Sequence, residues 1–285
     1  MSDQQQPVNY KLTATFLAIR AIQSSFEGPL NRVKTLLQGQ DQLLHSGLIA
    51  NKFNGINDAF ERVRDNEGFY SLWKGEYPRL VRTIIFQIIK YFTNLYVPVQ
   101  NITGNYWIDT FYKIIYGSLR GIVNMFFIYS LDVVIVKILS DIPNINKELP
   151  LKYKGIISVY KSIYNSNGLF SLYTGFIPSI LGIILYRLTF ILAMEFIKPI
   201  YTNYVENKGF LSFFIFNWLI TVFTSSLTYP LETLRVKMIL SNENIFKIIK
   251  IDGFMSLFNG YSVYLLKGLV GLAFIIISGV FNPKK

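Results

Sequence analysis

The chain has 285 residues, of which 51% are apolar and only 16% are charged, and its formal net charge is +11 at pH 7. So few charged side chains cannot coat a soluble globule of this apolarity, and the composition therefore indicates a membrane protein. The chain has no cysteine and one histidine, which excludes disulfides, thiolate ligands and a histidine metal cluster.

Six segments are predicted as membrane helices, because about 20 residues at 1.5 Å per residue cross the hydrocarbon core. The first segment, 12–30, is interrupted by Arg20, Gln23 and Glu27, but the internal repeat described below requires a helix there. The other five are long apolar runs with apolar residues at successive positions, which favours helices over strands. They lie at 83–99, 112–139, 176–197, 210–231 and 260–281.

Basic residues are concentrated on one side of the predicted membrane. The loop 99–111 contains no Lys or Arg, and most of these residues lie in the segments 32–82, 137–161 and 235–250. By the positive-inside rule, these segments face the negatively charged compartment and both termini face the opposite one. We expect no nucleic-acid partner, because no contiguous soluble basic domain is present. The N-terminal stretch MSDQQQPVNY lacks the pattern of a cleavable targeting segment.

A cluster of charged residues recurs about every 100 residues and indicates internal repeats. It reads GPLNRVKTLL from 28, YSLDVVIVKI from 129 and YPLETLRVKM from 229. Downstream of each cluster come EGFYSLWKG at 67–75, NGLFSLYTG at 167–175 and DGFMSLFNG at 252–260. The pattern predicts three units in a single domain, at about 10–100, 108–200 and 209–285. Each unit is expected to hold a membrane helix, a basic loop with a short surface helix, and a second membrane helix.

The pattern consists of a proline, an acid and a base at this spacing, followed by an aromatic residue and a glycine. It resembles that of the mitochondrial carrier family over essentially the whole chain. PLNRVKTLLQ at 29–38 and GIILYR at 182–187 resemble its ADP/ATP carrier branch. The resemblance implies an all-α membrane protein with six transmembrane helices in one barrel in the mitochondrial inner membrane, with the basic loops facing the matrix. It also implies exchange of adenine nucleotides, or of a related phosphorylated anion, by alternating access.

The resemblance implies a matrix-side gate, in which acids and bases of the first, third and fifth membrane helices pair in a ring. Lys34 with Glu232, and Asp132 with Arg235, remain as candidate pairs, and Gln38 is assigned to the same gate. Partly solvated ion pairs contribute only about 1 kcal/mol each, which suits a gate that must reopen.

Three positions depart from the implied matrix gate. Asn31 and Ile135 stand where the resemblance implies an acid and a base that pair with each other, so one bridge is expected to be missing. Ser130 replaces the middle proline, and we therefore expect the third membrane helix to kink less than the first and fifth.

The gate implied on the opposite, cytoplasmic side is more degraded. Only Glu195 and Lys198 remain of it, and they are close enough on one helix to bond each other. The matching positions on the second and sixth membrane helices hold Leu95, Pro98, Gly279 and Asn282.

For the central site, the resemblance implies basic side chains at mid-membrane that hold phosphates and a Gly-Ile-x-x-Tyr stretch that receives adenine. Gly182, Ile183 and Tyr186 match that stretch, and Arg82 and Lys267 stand at basic positions. Arginine at mid-membrane is costly, so we expect Arg82 to face water or an anion. A second interpretation stays open for the three pocket residues, which also suit ordinary helix packing.

Ser24 stands where the resemblance implies a lysine of the substrate site. Arg20 lies four residues earlier, on the same helix face, so we expect its side chain to point into the cavity. Arg187 is expected to be structural, and Gly117 and Gly121 to permit close helix packing.

The glycines Gly75, Gly175 and Gly260 close the second motif of each repeat. We expect them to end loops at helix N-termini, where free backbone N–H groups bind a lipid phosphate such as that of cardiolipin. No other cofactor and no metal is expected.

Two functions remain open from the sequence. The first is a transporter of adenine nucleotides or a similar anion, with Arg82 and Lys267 as anion clamps. The second is a transport-inactive protein of the same fold, serving as a structural subunit of a respiratory complex or another large inner-membrane assembly. The degraded gates favour the second function and the pocket pattern favours the first. No pattern of hydrolytic residues indicates an enzyme.

Overall fold

The computed structural model describes the backbone of residues 10–96, 104–143, 152–204 and 210–281. Side chains are described at 22–96, 104–143, 152–197 (except residue 167) and 215–273. Across these residues the chain is helical and contains no strand. The α-helices are α1 (Tyr10–His45), α2 (Ile56–Glu67), α3 (Glu76–Tyr96), α4 (Tyr106–Leu139), α5 (Ile156–Asn167), α6 (Phe176–Tyr204), α7 (Phe210–Ser241), α8 (Ile245–Asp252) and α9 (Tyr261–Phe281).

The six long helices form one closed ring. Helix α1 packs against α3 and α9, and the ring continues from α3 to α4, α6, α7 and α9. Helices α1, α4 and α7 also contact one another across the ring. The all-helical fold with six long helices about one axis is therefore confirmed.

The same connection between long helices recurs three times. Each of α2, α5 and α8 is followed by a glycine and a five-residue 3-10 helix, and a second glycine then precedes the next long helix. The second glycines have φ values of 90° at Gly75, 80° at Gly175 and 79° at Gly260. A residue with a Cβ atom rarely adopts this backbone conformation, so the motif requires glycine at the turn into α3, α6 and α9.

The buried apolar core lies at the end of the ring that carries α2, α5 and α8, here called the surface-helix end. One cluster joins α1 and α2 to α9, a second joins α4 and α5 to α7, and a third joins α7 to α8. Their most buried members include Leu36, Ala59, Leu72, Val263, Val134, Val159, Ile239, Ile248 and Leu257. Burial of these side chains closes the ring at this end.

The charged clusters of the sequence lie within long helices rather than at their ends. Pro29 falls inside α1 and Pro230 inside α7. In α4, Ser130 keeps the backbone N–H that a proline would remove. The hydroxyl of Tyr160, on α5, donates a hydrogen bond of 3.0 Å to the Ser130 hydroxyl, so this position ties α4 to its surface helix.

By length and composition, two helical stretches among the described residues are apolar enough to cross a membrane, Tyr106–Leu139 and Leu169–Ile197. Each of the other four long helices carries charged residues on the inside of the ring. These include Lys34, Arg82, Arg235 and Lys267, which line a central cavity.

Candidate functional site

The two ion pairs predicted for the matrix gate are both present. Lys34 Nζ donates to Glu232 Oε1 at 2.6 Å and joins α1 to α7. Arg235 Nη1 lies 3.7 Å from Asp132 Oδ2 and joins α7 to α4. These side chains come from three different repeats and meet where α1, α4 and α7 converge.

Gln38, also assigned to this gate, is fully buried one turn after Lys34. Its Nε2 donates to the hydroxyl of Thr233 at 3.3 Å. The bond crosses from α1 to α7, so Gln38 reinforces the same contact between helices as the neighbouring ion pair.

The third bridge is absent, as the sequence predicts. Asn31 and Ile135 line one cavity, and the Nδ2 atom of Asn31 has no hydrogen-bond partner among the described residues. Arg82 of α3 instead bonds Asp132, with Nη2 3.2 Å from Oδ2 and Nε bonded to Oδ1. Asp132 is therefore shared by two arginines, Arg82 and Arg235. The sequence analysis placed Arg82 in the substrate site and did not predict its bond to Asp132.

The central cavity is about 290 Å³ in volume and is lined by side chains from α1, α3, α4, α7 and α9. Five of the lining residues are basic, and each has a carboxylate oxygen within 4.0 Å. The five are Lys34, Arg79, Arg82, Arg235 and Lys267. An anion that enters this cavity must therefore compete with carboxylates that the protein itself supplies.

Two of those carboxylates were not predicted as site residues. Glu27 Oε2 lies 3.1 Å from Lys267 Nζ, and Glu76 Oε2 lies 3.7 Å from Arg79 Nη1. The hydroxyl of Ser24, in the place of the implied lysine, bonds Glu76. A charged residue inside a membrane span indicates function by default, and that signal identifies Glu27 from the sequence.

A second cavity of about 280 Å³ contains the predicted base pocket. Gly182, Ile183 and Tyr186 line it, and it shares Glu232 and Arg235 with the central cavity. A Cβ atom built on Gly182 meets nothing closer than Leu231 Cβ at 3.9 Å, an ordinary contact distance. Close packing alone does not require this glycine, which favours the pocket interpretation over the packing one.

The other two glycines of this region have a packing role. A Cβ atom on Gly117 would lie 2.9 Å from Arg187 Nε, and one on Gly121 would lie 2.9 Å from Ile183 Cγ2. Arg187 Nη2 also donates to the backbone oxygen of Gly117 at 3.4 Å. Both glycines allow α4 to approach α6, and Arg187 contributes to that contact.

Several predicted site residues fall outside the described side chains. They include Arg20 and Lys198, so the orientation of Arg20 and the pairing of Glu195 with Lys198 stay predictions. Pro98, Gly279 and Asn282 also lie outside the described side chains. Glu195 is half-buried on α6, and Leu95 of α3 is exposed.

The predicted lipid sites lie at the surface-helix end. Gly75, Gly175 and Gly260 each stand one residue before α3, α6 and α9 begin. A cavity of about 1020 Å³ opens beside the first of them and is also lined by Lys74 and Lys154. Burial lowers the pKa of Lys74, and the nearby Asp141 carboxylate opposes that shift.

A buried ionic cluster behind the gate was missed by the sequence analysis. Lys237, on α7, is fully buried and lies 2.6 Å from Asp41 Oδ2 and 2.9 Å from Asp252 Oδ2. Lys52 also contacts Asp41 at 2.6 Å, and this hydrogen bond raises the pKa of Lys52. The cluster connects α7 to α1 through Asp41 and to α8 through Asp252. It therefore stabilises the contact between α1 and α7 next to the gate.

Comparison with known proteins agrees with this architecture. A family model described as mitochondrial carrier protein matches residues 6–98 and 106–205. The chain is 28% identical to an ADP,ATP carrier protein of Neurospora crassa, over 88% of this chain and 85% of that protein. It is 27% identical to ADP,ATP carrier protein 3 of Saccharomyces cerevisiae, over 94% and 92%. It is 30% identical to the mitochondrial ADP,ATP carrier protein 2 of Zea mays, over 88% and 68%.

Proposed function

The chain belongs to the mitochondrial carrier protein family, and we propose that it exchanges an adenine nucleotide, or a related phosphorylated anion, across the mitochondrial inner membrane. One observation carries the proposal. The pocket formed by Gly182, Ile183 and Tyr186 shares Arg235 with a cavity lined by basic residues. A nucleotide needs an apolar pocket for its base and, beside it, cations for its phosphate. The two adjoining cavities supply both.

The charged residues of the gate suggest how substrate binding opens the protein. A phosphate that binds Arg82 and Arg235 draws both arginines from Asp132, which is hydrogen-bonded to Arg82 and forms an ion pair with Arg235. The contact between α4 and α7 then loses its charge pairing. Partly solvated pairs contribute about 1 kcal/mol each, so the binding free energy of an anion is sufficient to release them.

The proposed orientation places α2, α5 and α8 on the matrix side and both termini toward the intermembrane space, following the positive-inside rule. We also propose that the N-termini of α3, α6 and α9 bind lipid phosphate, with cardiolipin as the ligand. The cavity at Gly75 and Lys74 supports the first of these three sites. Cardiolipin added to the purified protein is expected to raise its melting temperature more than a neutral lipid does.

The function is tested with the purified chain in liposomes that are loaded with unlabelled adenine nucleotides. Uptake of labelled AMP, ADP and ATP is measured in turn, with Arg82→Ala and Arg64→Ala as matched variants. Arg64 is a surface arginine of α2 that pairs only with its neighbour Asp65 among the described residues. We expect exchange in the native chain, loss of exchange in Arg82→Ala, and normal exchange in Arg64→Ala.

The alternative of a structural subunit makes the opposite prediction. Nothing in the three relatives described above supports it, and the matrix gate keeps both of its predicted ion pairs. The absence of uptake for every nucleotide, together with co-migration of the chain with a respiratory complex on a native gel, would refute the proposed transport.

A further inference from the structure

The charges around the two cavities nearly balance. Among the described residues, six basic side chains line the cavities, and four carboxylates line them or contact those bases. The bases are Lys34, Arg79, Arg82, Arg187, Arg235 and Lys267, and the acids are Glu27, Glu76, Asp132 and Glu232. Six minus four leaves a net charge of +2 around the site.

Two of the four carboxylates have no part in the matrix gate. Glu27 and Glu76 stand behind the central cavity, on α1 and at the start of α3, and their side chains are only 12% and 11% exposed. Each contacts a base of the cavity, Lys267 or Arg79. Since a carboxylate beside a base cancels most of its field, these two acids lower the positive potential that a substrate meets.

The two remaining positive charges have definite positions. Arg82 and Arg235 share the single carboxylate of Asp132, whereas Lys34, Lys267 and Arg79 each have an acid of their own. The second excess charge is Arg187 of the base pocket, which forms no ion pair among the described residues and donates to the backbone oxygen of Gly117. Arg235 also lines the base pocket beside Tyr186. A phosphate next to the shared carboxylate is therefore within reach of two guanidinium groups, which grip phosphate oxygens in pairs.

We infer that the site selects a phosphate monoester, such as a nucleoside monophosphate, over di- and triphosphates. The inference rests on the proposed function and names the substrate class of the same site. A monoester carries a charge of about −1.5 to −2 at pH 7, which matches the net charge of the site. Each further phosphate adds negative charge that Glu27 and Glu76 oppose, because their carboxylates occupy the bases that would otherwise receive it.

The native chain provides the first test. Uptake of labelled AMP into liposomes loaded with AMP is measured against competing AMP, ADP, ATP and inorganic phosphate. We expect half-inhibition by AMP at a concentration about tenfold or more below that of ADP, with ATP weaker still. Equal or stronger competition by ADP or ATP would overturn the inference and leave the proposed function standing. Failure to take up any of the nucleotides would instead contradict the proposed function.

Two variants test the cause of the preference. Glu27→Gln and Glu76→Gln each remove one negative charge with little change in shape, and each is expected to move the ratio of AMP to ADP competition toward ADP by about tenfold. Glu243→Gln makes the same chemical change at an exposed pair with Lys247 on the surface and should leave the ratio unchanged. The amount of folded protein cancels in this ratio. An unchanged ratio in both cavity variants would show that these carboxylates do not set the preference.

Discussion

Asp132 is the residue at which the proposed substrate site and the matrix gate meet. It accepts hydrogen bonds from Arg82 on α3 and forms an ion pair with Arg235 on α7, although only the ion pair was predicted. The loss of the acid and base at Asn31 and Ile135 removes one bridge between α1 and α4. The added bond from Arg82 gives α4 a partner on α3 instead. A charge pattern that looks incomplete in the sequence is thus partly restored from an unexpected helix.

The buried Lys237 yields a prediction about stability. Lys237→Met keeps most of the side-chain volume but leaves Asp41 and Asp252 without their buried cation. Loss of one partner from a buried ionic cluster costs about 3–5 kcal/mol, because the remaining charges stay buried. We expect a clearly lower melting temperature in detergent. Lys247→Met, at an exposed pair on α8, should change the melting temperature little, and an equal fall in both variants would contradict this assignment.

The gate residues could be predicted because they recur at the repeat period. Lys34 and Arg235 occupy equivalent positions in α1 and α7, Asp132 and Glu232 occupy equivalent positions in α4 and α7, and the family resemblance implied how they pair. The contact of Glu27 with Lys267 joins non-equivalent positions on α1 and α9. No period links such residues, and only the packing of the helices brings them together.

At the scale of the helices, the contact between α4 and α6 determines the shape of the base pocket. Gly121 of α4 lets Ile183 of α6 approach α4. Gly182, also on α6, leaves space on the side of α6 that faces the pocket. The sequence assigned Gly121 to helix packing and left packing and binding both open as roles for Gly182. The two roles are divided between them, because the available space differs from one position to the other.

A pair of alanine substitutions tests this division. Gly121→Ala would place a Cβ atom 2.9 Å from Ile183 Cγ2, and overpacking of this kind costs about 1–3 kcal/mol. We expect a lower melting temperature. Gly182→Ala meets only a contact at 3.9 Å, so it should keep the native melting temperature and weaken nucleotide uptake by narrowing the pocket. The reverse pattern, with Gly182→Ala the less stable of the two, would show that the roles are assigned wrongly.

The helices themselves were predicted well, and their ends less well. Helix α1 runs from Tyr10 to His45, well beyond the predicted span of 12–30. The extension is mostly polar, so apolarity could not reveal it. It continues because its buried face packs against α2 and because Asp41 bonds Lys237.

For the whole molecule, the closed end of the ring is the feature on which the proposed transport depends. Apolar clusters, ion pairs and the buried lysine all lie at the surface-helix end, where α1, α4 and α7 contact one another. In the proposed cycle this end must open when the substrate is bound. If this end never opened, the protein would have the same structure but would not transport its substrate.

In the proposed transport cycle, α1 and α4 separate at this end each time the substrate passes. Asn31 and Ile135 line the same cavity there, and neither takes part in an ion pair among the described residues. The chain has no cysteine, so Asn31→Cys and Ile135→Cys can be combined directly. A short thiol cross-linker that reducing agents cleave then joins the two helices and leaves every charged residue in place. The two single-cysteine variants, treated in the same way, are the controls.

Uptake of labelled AMP by the cross-linked protein in liposomes is the most direct measurement. We predict that cross-linking stops uptake, that reduction restores it, and that neither single-cysteine variant responds to the treatment. Uptake that continues at the same rate while the two helices are joined would contradict the account, and so would failure of the two positions to cross-link.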